Sequence, residues 1–158
     1  MAQPKTNAMR ILDKNKINYN VITYNSEDGK IDGISVAEKI QKDVDVVYKT
    51  LVLQGNSKSI FVCVIPVKEE LDLKKAAKVA NEKKVEMIHI KDIKKHTGYI
   101  RGGCSPIGMK KEYKTFIDES ALNLDEMIVS GGKTGIQIEL SVKDLLDITR
   151  AEMQNIIK

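Results

Sequence analysis

The sequence predicts an α/β protein of the α+β type, with a distorted mixed, largely antiparallel sheet that curls toward a barrel and is flanked by helices. Three observations lead to this fold class. Predicted strands and helices follow one another in an order that is neither strict βαβ alternation nor an all-β meander. The 158 residues, 42% apolar and 30% charged, have the size and composition of one globular domain. Because residues 1–158 contain no repeat and no linker rich in Gly, Pro or Ser, we expect a single domain.

Seven short segments predict strands, because their apolar residues either alternate or run continuously. The second and third segments are separated by residues 54–58, whose composition is typical of a hairpin turn. The seven segments are 19–24, 46–53, 59–67, 85–89, 113–117, 127–130 and 136–140.

Five helices are predicted, four of them from capping residues. The capping-box sequence Ser35-Val36-Ala37-Glu38 opens one helix, Asp72 and Ser141 open two others, and Gly98 ends a short fourth helix. The remaining helix follows Pro4 and is indicated by the helical spacing of Ala8, Met9 and Leu12.

Composition and charge narrow the function classes. The formal net charge of +4 is too small for a histone-like binder but allows an anionic ligand. The two cysteines and two histidines lack the spacing of metal ligands, and we predict neither a metal nor another cofactor. No segment approaches the roughly 18–20 apolar residues that span a bilayer, and the N-terminus has no signal core. We therefore expect a cytoplasmic protein without a membrane partner.

Two motifs suggest catalysis but fail on their context. Gly132-Lys133-Thr134 is similar to a phosphate loop, yet Met127 stands where that loop needs a glycine, and a strand rather than a helix is predicted to follow. Cys104 lies in a glycine-rich loop like an exposed nucleophile, but only His89 and His96 are available as bases. We interpret Cys104 as a passive loop residue.

Lys49 is unusual because strand alternation places it with Val47, Leu51 and Leu53 on the more apolar face of a predicted strand. An ammonium group there either extends to the rim of the protein or awaits an anionic partner. The strand pattern leaves both interpretations open.

Two glycine-rich segments are further candidate sites. In the loop 98–108, Arg101 is placed to reach a phosphate and Tyr99 to stack on a base, although a structural loop explains the same residues. The segment Ser130-Gly131-Gly132 exposes amide N–H groups that are able to hold an oxyanion or a carbonyl. A tight hairpin turn needs the same glycines.

Taken together, these segments resemble the YbaK/EbsC-type Cys-tRNA(Pro) deacylases, which are related to the editing domain of bacterial prolyl-tRNA synthetases. The similar segments follow the family order over nearly the whole chain. They are 47–51, 71–75, 84–87, 97–99, 102–103 with 105–108, 129–133 and 138–140. The resemblance implies the same distorted barrel-like sheet flanked by helices.

The resemblance also assigns roles to individual residues. Lys49 matches the family's essential lysine, and Gln137 stands where some members carry an acid. We predict catalytic roles for Lys49, Ser130 and Gly132. We predict substrate-binding roles for Tyr24, Tyr99, Arg101, Gly102, Gly103, Gly131 and Gln137.

The expected activity is trans-editing of Cys-tRNA(Pro), and of Cys-tRNA(Cys), with the 3′-terminal adenosine as the bound group. The family implies that the thiol of the cysteinyl group attacks its own ester and leaves as a cyclic thiolactone. A prolyl-tRNA synthetase is the expected partner in a transient ternary complex. Three alternatives remain: a deacylase for another mischarge such as Ala-tRNA(Pro), a non-catalytic module that binds aminoacyl-tRNA or a synthetase, and a thiol hydrolase that uses Cys104.

Overall fold

The computed structural model describes residues 5–158, so the predicted position of Pro4 lies outside the described residues. Within that range the chain forms five α-helices and eight β-strands. The helices are α1 (Asn7–Lys14), α2 (Gly33–Lys39), α3 (Leu73–Val79), α4 (Ile93–Thr97) and α5 (Val142–Thr149). The strands are β1 (Tyr19–Thr23), β2 (Tyr48–Gly55), β3 (Ile60–Pro66), β4 (Val85–Met87), β5 (Lys114–Asp118), β6 (Glu126–Ser130), β7 (Ile136–Ser141) and β8 (Glu152–Gln154).

The strands form two sheets. One has the order β4-β2-β3-β5-β8 and the other the order β1-β7-β6. The pairs β3–β5 and β5–β8 are parallel and the other four pairs are antiparallel, which confirms the predicted mixed, largely antiparallel arrangement. The sheets meet at one parallel bridge between Val47, just before β2, and Ile128 in β6.

The bridge determines where a cavity can form. Beyond it, β2 is hydrogen-bonded to β3 on one side, and on the other side it meets β4 only at Leu53 to Gly55. The edge of β2 over residues 48–50 is therefore unpaired among the described residues, and β2 and β6 separate there.

The core occupies both faces of the five-stranded sheet. Tyr48, Val62 and Val64 face the three-stranded sheet and α1, whereas Leu53, Cys63 and Ile65 pack toward α3. Because β3 is buried on both faces, its sequence is a continuous apolar run rather than an alternating one. A third apolar cluster packs α2 against the bridge between the sheets.

The predicted helix caps are confirmed at three positions and wrong at one. Asp72 and Ser141 accept hydrogen bonds from the first turns of α3 and α5, and Gly98 ends α4 with φ at 84°. However, α2 begins at Gly33 rather than at Ser35, because the Asp32 carboxylate accepts the Ser35 N–H at 3.1 Å. Among residues 5–158, no helix has the length and apolar character needed to cross a membrane.

Candidate functional site

A cavity of about 170 Å³ lies where β2 and β6 separate beyond their bridge. Its other walls come from α2, the loop 98–108 and the start of β7. Ligand pockets for drug-sized molecules measure roughly 300–1,000 Å³, so this cavity suits a smaller group. Its side chains with polar atoms are Tyr24, Tyr48, Lys49, Thr50, Cys104, Ser130 and Gln137, of which Tyr48 is paired with Ser120.

Five of the ten predicted site residues line this cavity. They are Tyr24, Lys49, Gly102, Ser130 and Gln137. The other five, Tyr99, Arg101, Gly103, Gly131 and Gly132, lie in the two adjoining loops outside the lining. Thr50 also lines the cavity, although no sequence pattern pointed to it.

Lys49 is half-buried and lines the cavity. Burial lowers the pKa of Lys49, and the carboxylates of Glu70 and Glu69 partly oppose this shift. None of the ion pairs within residues 5–158 includes Lys49. An ammonium group that loses hydration without gaining a partner favours the interpretation in which Lys49 awaits an anionic or polar ligand.

Two hydroxyl groups on residues that line the cavity are buried without a hydrogen-bond partner. They are the Tyr24 Oη and the Thr50 Oγ1. Leaving such a group unpaired costs about 1–3 kcal/mol, so buried hydroxyls without a partner are uncommon unless a ligand supplies the missing hydrogen bond. Thr50 and its neighbour Lys49 lie on opposite faces of β2. Both line the cavity because it runs along the open edge of that strand, which is reached from either face.

Ser130 and Gln137 face each other across the β6–β7 ladder. Gln137 is buried at 6% exposure, although it is polar, because it lines the cavity. The Ser130 Oγ accepts the Gly132 N–H at 3.4 Å. The two strand ends therefore supply a hydroxyl and a neutral amide to one side of the cavity.

The glycine segment after Ser130 forms the tight hairpin turn that was the alternative to an oxyanion site. The Gly131 N–H donates to the Ile136 carbonyl at 2.9 Å, so the prediction that this amide is free for substrate is wrong. Gly132 has φ at 100°, and a Cβ there would lie 3.0 Å from the ring of Tyr99. Gly132 thus allows the hairpin to pack closely against the loop 98–108.

Tyr99 supports the loop and is not available to stack on a base. Its side chain is 7% exposed, and its hydroxyl donates to the Ile107 carbonyl at 2.6 Å. Burial raises the pKa of Tyr99 to about 12, which keeps the hydroxyl protonated as a donor. The predicted stacking role is wrong because the ring is enclosed by the loop and by Gly132.

The turn from Ile100 to Gly103 brings the loop to the cavity. The Gly103 N–H donates to the Ile100 carbonyl at 3.0 Å, and Gly102 adopts φ at 84° to line the cavity. Arg101 is exposed at the turn. Gly103 is buried because a Cβ there would lie 2.9 Å from the Lys133 backbone, so its role is packing rather than ligand contact.

Cys104 lines the cavity, which the sequence interpretation of a passive loop residue did not anticipate. Burial raises the pKa of the Cys104 thiol to about 11. The reactive form of cysteine is the thiolate, and neither His89 nor His96 lines the cavity to produce it. Cys104 therefore forms part of the wall as a neutral thiol.

Comparisons with known proteins agree on one family. The model of the aminoacyl-tRNA editing domain matches residues 32–148. A protein of Enterococcus faecalis, named "Putative Cys-tRNA(Pro)/Cys-tRNA(Cys) deacylase EbsC", is 46% identical over 154 residues, which cover 98% of this chain and 94% of that protein.

Solved structures share the fold. A crystal structure of "a putative trans-editing enzyme for prolyl tRNA synthetase" superposes with a TM-score of 0.85 at 21% identity and covers 99% of both chains. The crystal structure of a hypothetical protein superposes with a TM-score of 0.87 at 17% identity, covering 96% of this chain and 99% of that one.

Proposed function

This chain belongs to the aminoacyl-tRNA editing domain family, and from this premise we propose that it deacylates Cys-tRNA(Pro), and also Cys-tRNA(Cys), in trans. The resemblance inferred from the sequence is confirmed at the level of the family. The relative that is 46% identical is named for these two substrates. The observation that carries the proposal is a small cavity in which Lys49 and two buried hydroxyl groups lack partners.

A separate editing site is needed because cysteine and proline are similar in size. One methylene group in a binding pocket is worth only about 1–3 kcal/mol, so a synthetase discriminates weakly between such substrates. A second site that accepts cysteine and cleaves its ester corrects the error. The cavity volume of about 170 Å³ suits a small aminoacyl group rather than a whole nucleotide.

In the proposed reaction the thiol of the cysteinyl group attacks its own ester carbonyl. A carbon–sulfur bond forms, the bond from the carbonyl carbon to the ribose oxygen breaks, and the thiol proton ends on that ribose oxygen. The products are uncharged tRNA and a cyclic thiolactone, which water opens to cysteine. Holding the reacting atoms in line is worth about 7–11 kcal/mol.

The residues in the cavity support positioning and charge stabilisation. Lys49 holds the ester and the polar groups of the 3′-terminal adenosine, and it is the strongest donor available to the developing oxyanion. Ser130 and the hydroxyls of Tyr24 and Thr50 add neutral hydrogen bonds. The Gly131 amide is excluded from this role because the hairpin uses it.

The partner and the compartment follow from this activity. The cavity accepts only the acylated terminus, so selection of the tRNA falls to a prolyl-tRNA synthetase in a transient complex. Such a reaction belongs to the cytoplasm, where aminoacyl-tRNA is made.

The direct test measures ester loss from Cys-, Ala- and Pro-charged tRNA(Pro) with purified protein, with and without the synthetase. We expect Cys-tRNA(Pro) to be cleaved fastest and Lys49→Ala to reduce kcat/KM at least 100-fold, a loss of the size seen for oxyanion donors. Lys143→Ala, at an exposed position on α5, is the matched control and should retain full activity. Intact Cys-tRNA(Pro) under both conditions refutes the proposal, and faster loss of alanine reassigns the substrate.

A further inference from the structure

Two exposed cations lie on separate loops that border the cavity. Arg101 is in the turn 100–103, and Lys133 is in the hairpin between β6 and β7. Each loop also contributes a residue to the cavity: Gly102 belongs to the first loop, and Ser130, at the end of β6, begins the second. Both cations therefore lie close in the chain to residues that would touch the bound ester.

The two loops are in direct backbone contact, which brings the backbones of Arg101 and Lys133 close together. A Cβ at Gly103 would lie 2.9 Å from the Cα of Lys133, and a Cβ at Gly102 would lie 3.1 Å from the Thr134 Oγ1. Consecutive Cα atoms are about 3.8 Å apart, so the Cα of Arg101 is at most about 7.6 Å from that of Gly103. The two cations are thus neighbours in space although 32 positions separate them in the sequence.

Within residues 5–158, neither Arg101 nor Lys133 takes part in an ion pair. The segment before α2 also packs on the turn, since the Ile31 side chain lies 2.8 Å from a Cβ built at Gly102. That segment carries Lys30 and Asp32, whose charges offset each other, Asp28, which is paired with Lys39, and Glu27, which leaves one negative charge. Arg101 and Lys133, which we call the rim pair, outweigh that charge and leave one net positive charge where the two loops and this segment meet.

We propose that the rim pair binds the phosphates of the RNA strand next to the terminal adenosine, so that the strand enters the cavity over the turn 100–103 and the β6–β7 hairpin. This inference rests on the proposed function, since it concerns how the same substrate is held. A single-stranded RNA end presents phosphates at short intervals, and arginine and lysine are the side chains that bind them. The rim pair contributes binding and orientation, whereas the ester lies in the cavity beyond it.

The test compares two substrates and two double variants. Cysteinyl-tRNA(Pro) carries the phosphates, and the cysteinyl ester of adenosine carries none. Arg101→Gln with Lys133→Gln removes the rim pair. Lys74→Gln with Lys143→Gln removes the same charge from exposed positions on α3 and α5 and serves as the control.

For the rim variant we expect kcat/KM on cysteinyl-tRNA(Pro) to fall roughly 10-fold to 30-fold. The slope of log kcat/KM against log salt should become shallower by about 1.4, because two contacts to single-stranded RNA are lost. Turnover of the cysteinyl ester of adenosine should stay within about twofold, and the control variant should retain the wild-type rates and slope.

Three results overturn the inference. They are unchanged rates and salt slope in the rim variant, an equal loss on both substrates, and an equal loss in the control variant. Failure of the proposed function looks different, because the wild-type protein would then cleave neither substrate. In that case the affinity of uncharged tRNA, measured by fluorescence anisotropy, still decides whether the rim pair binds RNA.

Discussion

Thr50→Val should make the protein more stable and less active. The Thr50 hydroxyl is buried in the cavity wall without a hydrogen-bond partner. Valine has nearly the same shape, so the substitution removes the unsatisfied oxygen without leaving a void. A side chain that lowers the stability of the ligand-free protein is expected where its polar group serves to bind a ligand.

The magnitude follows from the surroundings of the hydroxyl. An unsatisfied buried hydroxyl costs about 1–3 kcal/mol, and the lower end applies here because Thr50 is only half-buried. We therefore expect the free energy of unfolding to rise by about 1 kcal/mol and Tm to rise by about 2–4 °C. Loss of one hydrogen bond to the substrate, worth about 1–1.5 kcal/mol, should lower kcat/KM roughly 5-fold to 10-fold.

Thr115→Val in β5 is the matched control. Thr115 is 4% exposed, and its hydroxyl donates to the Tyr113 carbonyl at 3.0 Å. The same substitution there breaks a hydrogen bond and should lower the free energy of unfolding by about 1 kcal/mol. The two variants are thus expected to change stability in opposite directions.

Urea unfolding followed by circular dichroism measures both stabilities, with an unchanged m value as the check that the states are comparable. Deacylation of Cys-tRNA(Pro) measures the activity. A Thr50→Val protein that is less stable than the wild type refutes the account of the unpaired hydroxyl. A more stable protein with full activity shows that no substrate uses this oxygen.

Lys49 and Cys104 give two further predictions. Burial lowers the pKa of Lys49 below its ordinary 10.5, so the unfolded chain holds more protons between the two values and stability rises with pH across that window. Lys49→Met should therefore raise the free energy of unfolding at neutral pH, measured by urea unfolding. This increase should shrink as the pH approaches 10.5, and an increase that grows with pH would contradict the prediction. Because burial raises the pKa of Cys104 to about 11, the thiol should react slowly with iodoacetamide at neutral pH, and Cys104→Ser should keep deacylation within about threefold. A 100-fold loss would instead support the thiol hydrolase.

Local features of the fold could be predicted from the sequence. The β2–β3 hairpin, the caps at Asp72 and Ser141 and the end of α4 at Gly98 each depend on a few consecutive residues. The strand β8 was missed because it has only three residues and pairs in parallel with β5, a contact that no local pattern encodes.

The site was predictable only in part, because it is assembled from distant segments. Lys49 was found because a lysine on an apolar strand face is unusual in itself. Thr50 was missed because alternation places it on the opposite face, and the open edge of β2 that exposes both depends on where β4 and β6 lie. Tyr99 was predicted to stack on a base because a loop tyrosine gives no sign in the sequence of whether its ring is enclosed.

The chemistry of the cavity wall explains why the substrate must supply the nucleophile in the proposed reaction. Among residues 5–158, no carboxylate and no imidazole lines the cavity, and Gln137 is a neutral amide that cannot take a proton at neutral pH. The Cys104 thiol stays protonated, so it is neither a base nor a nucleophile. A bound ester that carries no nucleophile of its own therefore meets donors that stabilise an oxyanion but no group that activates water. Selectivity for cysteine then follows from reactivity as well as from size, since an alanyl ester that fits the same cavity has no thiol with which to cleave itself.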